Sequence, residues 1–302
     1  MKKKIIVTAF SNLTTDQRIE KVCKTLHDNG YVIELIGCNY GCNQEVKREY
    51  TVEKINLISK SLKTAYFEFN WKLYQKLLNK SFENTVLLTN DLDTLLPNFL
   101  LSKKKKIPLV FDSHEIFTEM PAIQGKISQK IWRFAENKML PHIEFMMTES
   151  ESYAKWFHEK YNVTPVVVRN IPKKLPLQEK TLTQNPKIIL YQGAINPSRG
   201  IDKAILAMKF IENANLIIVG DGPMRKKYEA FAVSNHLAHK VQFLGKKRPS
   251  ELRTITQKAN VGISLEENNG VSYYYSLPNK VADYIQARVP VVVSKFPEMQ
   301  KI

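Results

Sequence analysis

Two short runs collect acids, amides and a histidine directly behind apolar stretches: Asn90-Asp91-Leu92-Asp93-Thr94 and Asp112-Ser113-His114-Glu115. Carboxylates beside an imidazole suit proton transfer or the positioning of a polar substrate. Taken singly, Asn90 and Asp112 would equally serve as turn or helix caps. A second set suits an anion. Gly193 to Gly200, Gly220-Asp221-Gly222-Pro223 and Gly245 to Arg248 are loops at strand ends, joined by Tyr273-Tyr274-Tyr275-Ser276-Leu277-Pro278-Asn279-Lys280, which opens a helix. Free backbone N–H groups at such a start favour negative charge, Lys280 adds a full positive one, and Asp283 follows one turn later.

Other chemistries are disfavoured by what is missing. No G-x-G-x-x-G follows the first strand and no G-x-x-x-x-G-K-[ST] occurs, which argues against a dinucleotide fingerprint and a P-loop. G-x-S-x-G is absent. His114-Glu115 runs on into Ile116, Phe117 and Thr118 without completing H-E-x-x-H, and His236 and His239 read as surface residues, so no metal site is expected.

The elements that must carry these residues alternate. Strands are expected at Lys4 to Phe10, Tyr31 to Ile36, Thr85 to Thr89, Leu109 to Asp112, Phe145 to Glu149 and Val166 to Val168, with helices at Asp16 to Asn29, Ala65 to Asn79, Ser128 to Leu140 and Glu151 to Tyr161. Residues 172–186 hold three prolines among lysine, glutamine and threonine and read as a linker. Alternation then resumes: strand Lys187 to Gln192, helix Gly200 to Phe210, strand Asn215 to Val219 and a helix with Pro223 at its first position. Strand Val241 to Leu244, helix Pro249 to Lys258, strand Val261 to Leu265, helix Pro278 to Arg288 and strand Val289 to Val293 follow. The expectation is α/β: residues 1–171 and 187–302 as two doubly wound, Rossmann-like domains facing across a cleft, with ligands at the carboxyl edges of the sheets.

The net charge is +16 over 302 residues, +6 in residues 1–171 and +10 in residues 172–302. Such a field favours polyanions or phosphorylated ligands; no nucleic-acid module accompanies it, so nucleic acid is not expected as a partner. Lys103-Lys104-Lys105-Lys106 before Ile107-Pro108 suits either an anionic leaflet or a solvated loop. The apolar run Ile5 to Phe10 is too short for a signal peptide, which points to a cytoplasmic or peripheral protein at the inner membrane face. Asn12-Leu13-Thr14 is then a chance glycosylation match. Cys23, Cys38 and Cys42 read as buried small hydrophobes in a reduced compartment.

Together these runs carry a resemblance. Asn90 to Leu95, Asp112 to Glu115, Tyr191-Gln192-Gly193 with Arg199-Gly200, Val219 to Pro223, Phe243-Leu244-Gly245, and Leu277 to Lys280 with Asp283-Tyr284 and Pro290 to Val292 resemble family 4 glycosyltransferases. The resemblance implies the GT-B fold and a metal-independent hexosyltransferase acting with retention, with no cofactor beyond the nucleoside diphosphate sugar substrate. Its implied context is cell-surface polysaccharide synthesis on a glycan or lipid-linked acceptor. The donor side would comprise Gly193, Arg199, Gly220, Gly222, Gly245, Lys246, Leu277, Asn279, Lys280 and Asp283. Arg199 and Lys280 would neutralise the diphosphate, Asp283 would bind ribose, and residues around Gly245 to Lys247 would line the base pocket. His114 would sit near the transferred sugar, with Asn90, Asp91, Asp93, Asp112 and Glu115 on the acceptor side.

The sequence departs from the family pattern at Ala194, where a basic residue is usual, at Tyr275, eight before Asp283, where an acid is usual, and at Ser11 to Thr15, where glycines are usual. The second domain is also expected to be incomplete at its C-terminus. These departures motivate an alternative, a catalytically impaired nucleotide-sugar or polyanion binding protein.

Overall fold

The computed structural model describes residues 3–11, 13–14, 16–40, 45–172, 174 and 185–302. Asn12, Cys42 and most of the expected linker lie outside them. Two compact units emerge, Met1–Thr118 with Gly125–Arg169, and Glu119–Gln124 with Asn170–Ile302.

The first unit runs β1 (Lys4–Thr8), α1 (Gln17–Asp28), β2 (Val32–Cys38), β3 (Thr51–Ile55), α2 (Leu62–Leu78), β4 (Thr85–Asn90), α3 (Leu92–Lys105), β5 (Leu109–Ser113), α4 (Ile127–Met139), β6 (Phe145–Thr148), α5 (Glu151–Tyr161) and β7 (Val166–Val167). Its strands pair in parallel in the order β3-β2-β1-β4-β5-β6-β7. Apolar strands with both faces covered explain the continuous runs of Ile, Val and Leu. Ile5, Val7, Ile33 and Leu35 pack with Ile19 and Cys23 of α1 in one buried cluster. Burial pushes the free Cys23 and Cys38 thiols up to about 12 and about 11, so both behave as small apolar groups.

Two elements here escape the hydrophobic pattern. β3 is an edge strand with Glu53 and Lys54 at its middle, and Glu53 pairs with Lys76 and Lys80 at the end of α2. α3 starts inside the polar run at residues 90–94, and its buried Asp93, Thr94 and Asn98 break the apolar periodicity. Pro97 lies within it and cannot donate to the Asp93 carbonyl one turn back. Asn70 of α2 supplies that donor at 2.7 Å, so the helix continues.

The second unit runs β8 (Lys187–Gln192), α6 (Ile201–Ala207), β9 (Ala214–Val219), α7 (Arg225–Ser234), β10 (Val241–Gly245), α8 (Pro249–Lys258), β11 (Val261–Ser264), α9 (Val271–Tyr274), α10 (Asn279–Gln286) and β12 (Val291–Val293), with parallel order β10-β9-β8-β11-β12. Helix α7 begins two residues beyond Pro223, which is a correction to the expected start. In both sheets the order reverses once, between β1 and β4 and between β8 and β11. Helices leave in opposite directions at such a switch, opening a crevice at the carboxyl ends of those strands.

Candidate functional site

In the second unit the crevice between β8 and β11 holds a buried and a half-buried cation, Lys280 and Arg199, on one buried carboxylate. Glu266, just past β11, accepts from Lys280 Nζ at 2.7 Å and Arg199 Nη1 at 3.2 Å on the same oxygen. Its other oxygen accepts from Ser264 Oγ at 2.7 Å. Aromatic faces complete the walls: Lys280 Nζ lies 4.4 Å from the Tyr191 ring centre, and the Arg199 guanidinium 4.2 Å from that of Tyr273. Burial pushes the Lys280 ammonium down to about 8, with Glu266 opposing the fall and Arg199 adding to it. Burial opposes ionisation of Glu266 as well, but Lys280 and Arg199 outweigh it and hold the carboxyl below its ordinary value.

Arg199 and Lys280 thus meet although 81 positions separate them. Lys280 comes from the first turn of α10, which starts at Pro278 without a side-chain cap. It also borders Gly193, where an added Cβ would stand 3.6 Å from Lys280 Cε. Its positive charge therefore lies close to Gly193. Leu277 is half-buried and Asn279 exposed at the same helix start.

Asp283 is held by Gln192 Nε2 at 3.0 Å, and Gln192 in turn accepts from Thr256 Oγ1 at 2.7 Å. Asp283→Asn is expected to weaken nucleoside diphosphate binding about tenfold or more, the scale of one charge-assisted hydrogen bond. Titration of the nucleotide against parent and variant checks this; equal affinities with a lowered Tm would make Asp283 only an anchor for Gln192.

Backbone packing requires glycine at both Gly220 and Gly222. Gly220 has φ +146°, and a Cβ there would fall 1.8 Å from the Gly193 carbonyl oxygen; at Gly222 it would fall 2.5 Å from that of Ile195. Gly245 and Lys246 lie at the end of β10, two strands from β8, and Lys246 is exposed.

In the first unit, ionisable groups from four segments gather at the crevice between β1 and β4. β4 and β5 pair in a register that sets Asn90 beside Asp112. Asp112 is fully buried and takes Arg18 of α1 on both oxygens, Nη2 at 2.5 Å and Nε at 3.1 Å, while Arg18 Nη1 donates to the Val168 carbonyl at 2.7 Å. His114 lies between carboxylates: Nδ1 is 3.1 Å from Asp91, Nε2 is 3.3 Å from Asp112, and its backbone N–H donates to Asp91 at 2.8 Å. Burial works against the imidazolium, but Asp91 and Asp112 prevail and hold its pKa well above the ordinary value. Asp91 has φ 60° and ψ 165°, a costly backbone for a residue with a side chain, held by the Asp91 N–H to Asp112 carbonyl bond at 2.9 Å.

These contacts revise the acceptor-side expectations. Both ring nitrogens of His114 are engaged within the protein, so the ring does not stand ready to hydrogen-bond a sugar. Asp112, Asn90 and Asp93 are buried and build the floor without lining the surface. Asn90 donates to the Thr8 carbonyl at 3.0 Å, and its Oδ1 accepts nothing among the described residues. Burial, reinforced by Asp91 and Glu115, raises the Asp93 carboxyl well above its usual range. Half-buried Asp91 and Glu115 form the outer part.

Sequence reasoning missed Arg18, Asp16, Glu149 and Glu266. Glu149 follows β6, and burial pushes its carboxyl up to about 8 against the pull of Arg18 and His114. Asp16 caps α1 through the Ile19 N–H at 3.2 Å, and burial raises its carboxyl as well. A capping aspartate two residues before an arginine at a helix start was the available signal.

With two doubly wound Rossmann-like units, each with its polar groups at the switch point, the fold is GT-B. Residues 174–302, within the second unit, match the family described as glycosyl transferases group 1. Among curated proteins the chain resembles two uncharacterized glycosyltransferases of Methanocaldococcus jannaschii. One, MJ1178, is 38% identical over 71 residues, 24% of this chain and 20% of that protein. The other, MJ1607, is 32% identical over 119 residues, 38% of this chain and 29% of that protein. The chain therefore matches well under half the length of these relatives. Among solved structures, sucrose-phosphate synthase from Thermosynechococcus elongatus aligns with a TM-score of 0.81 at 16% identity over 99% of this chain and 83% of its own. Anabaena Alr3699/HepE, solved with UDP-glucose, aligns with a TM-score of 0.71 at 14% identity over 99% and 82%.

Proposed function

We propose that the protein is a retaining, metal-independent hexosyltransferase, moving a sugar from a nucleoside diphosphate sugar to a glycan or lipid-linked acceptor in cell-surface polysaccharide synthesis. One observation carries this reading: two cations from distant segments, buried Lys280 and half-buried Arg199, converge on one buried carboxylate at the switch point of the unit that matches glycosyl transferases group 1. As the bond between the anomeric carbon and the diphosphate oxygen breaks, the leaving group gains negative charge, and Arg199 and Lys280 stabilise it there. The acceptor oxygen bonds to the same face of that carbon, and its proton passes to the departing phosphate. The solved relative that holds UDP-glucose supports the donor class. No helix among the described residues is long and apolar enough to cross a membrane, which suits peripheral attachment at the inner face.

A thermal-shift panel of uridine, guanosine and adenosine diphosphate sugars tests the donor reading. A ligand at 100 times its Kd stabilises by about 2.7 kcal/mol, so one nucleotide class should raise Tm by several degrees. No shift with any class would refute donor binding, and a shift without sugar transfer would favour the impaired binding protein.

A further inference from the structure

Helices α3 and α4 pack side by side in the first unit. Both carry large apolar side chains into solvent. On α4, Ile127, Ile131 and Phe134 are 78%, 63% and 67% exposed, and their spacing of four and three residues aligns them along one stripe. On α3, Leu96 and Leu100 are exposed one turn apart. Phe99 of α3 lies against His142, three residues past the end of α4, with ring centres 6.4 Å apart, and Lys103 Nζ lies 5.5 Å from the Phe99 ring.

The exposed charges that these two helices and their ends carry are of one sign. Lys103, Lys104, Lys105 and Lys106 end α3, while Lys126, Lys130, Arg133 and Lys138 belong to α4 and its start; all eight are exposed. The only acids on the two helices, Asp93 and Glu136, are buried. The lysine run at residues 103–106 is the last turn and αL cap of α3, where it complements the dipole of the carbonyl end. That role does not account for the apolar stripe or for the cations of α4.

We infer that the outer face of α3 and α4 docks the protein on an anionic bilayer, with Ile127, Ile131 and Phe134 entering the boundary between headgroups and acyl chains and the cations meeting lipid phosphates. An apolar stripe flanked by lysine and arginine is what an in-plane interfacial helix requires. Charge chooses this occupant over a second copy of the chain, because two such faces would bring like charges together. The inference deepens the proposed function by placing a lipid-linked acceptor at the same surface. It differs from purely electrostatic attachment in predicting a salt-resistant part, since inserted apolar groups are not screened.

Vesicle flotation of the full chain tests it, using phosphatidylglycerol and phosphatidylcholine vesicles at low salt and at about 1 M salt, where the Debye length is about 3 Å. The parent should float with phosphatidylglycerol, weakly with phosphatidylcholine, and retain a fraction at high salt. Ile127→Ser, Ile131→Ser and Phe134→Ser combined should abolish the salt-resistant fraction. Lys130→Gln with Lys138→Gln should weaken low-salt binding about tenfold or more, at roughly fivefold per lysine. All five residues are exposed, so the variants should fold, and the nucleotide-induced thermal shift should equal the parent's. That second readout separates the two readings, because a failed thermal shift with intact flotation refutes donor binding alone. A parent that ignores phosphatidylglycerol vesicles, variants that float like the parent, or a concentration-dependent dimer lost in the triple variant without vesicle binding would each overturn the bilayer inference.

Discussion

Replacing Glu266 by alanine is expected to lower folding stability by about 3–5 kcal/mol, the cost of removing one partner from a buried ion cluster. Glu266 is the shared acceptor of Lys280 and Arg199, and all three are largely withdrawn from water. The Lys280 ammonium is held down to about 8 with Glu266 opposing the fall, so without Glu266 it sheds its proton at still lower pH, whereas the Arg199 guanidinium stays charged. The loss should fall toward the lower end of that range above about pH 8, where Lys280 is uncharged in the parent as well, and grow as pH falls below it.

The companion variants Lys280→Ala and Arg199→Ala remove a cation from the same cluster and should each weaken nucleoside diphosphate binding about tenfold or more. In the parent, affinity should decline as pH rises through about 8, because Lys280 then enters the complex uncharged. Chemical denaturation at two pH values and nucleotide titration across the same range check both parts. A Glu266→Ala protein with parental stability, or lysine and arginine variants with parental affinity, would remove the diphosphate assignment.

The second large effect is expected at His114. His114→Ala should lower the sugar-transfer rate by about 10² or more while nucleoside diphosphate affinity stays at the parental value, the signature of a lost positioning group. The structure shows how the ring would act. Its cation joins Asp91, which precedes α3 on a costly backbone, to Asp112, which is already clamped by Arg18. Without that cation, Asp91 and Asp112 face each other as like charges, and half-buried Asp91 loses its set position.

Stability should follow the titration of the ring. Because the folded-state pKa lies above the unfolded value of about 6.5, the stabilisation is fully present below that pH and is lost as pH rises through the folded pKa. His114→Gln keeps a hydrogen-bonding side chain without the charge, so it should remove this pH dependence. Transfer rates, nucleotide affinity and denaturation against pH on one preparation decide the matter. Normal transfer by the alanine variant, or loss of nucleotide binding, would place the chemistry elsewhere.

Much of the architecture was legible in the residues because parallel sheets write themselves as apolar runs. Strands such as Lys4–Thr8 and Lys187–Gln192 are covered on both faces and need no partner to declare their type. Helices with one apolar stripe, such as α1 and α8, were equally plain. β3 and α3 were not, since the physical support of each comes from other parts of the chain. Glu53 of β3 is satisfied by Lys76 of α2 and by Lys80 just past it, and the Asp93 carbonyl freed by Pro97 is satisfied by Asn70.

The same division runs through the site. Residue types at strand ends marked Asp91, His114, Arg199, Lys280 and Asp283 as candidates, because a carboxyl edge is where a parallel sheet leaves polar groups unpaired. Their partners belong to the tertiary structure. Strand order alone brings Glu266 beneath Arg199 and Lys280, and Arg18 onto Asp112 across 94 positions of sequence. Protonation was also a tertiary decision: burial raises the carboxyls of Asp93 and Glu149, while adjacent carboxylates keep His114 charged. A sequence records which charges a chain carries; only folding sets their separation and removes the water between them, and those two quantities determine which charges persist and what they can hold.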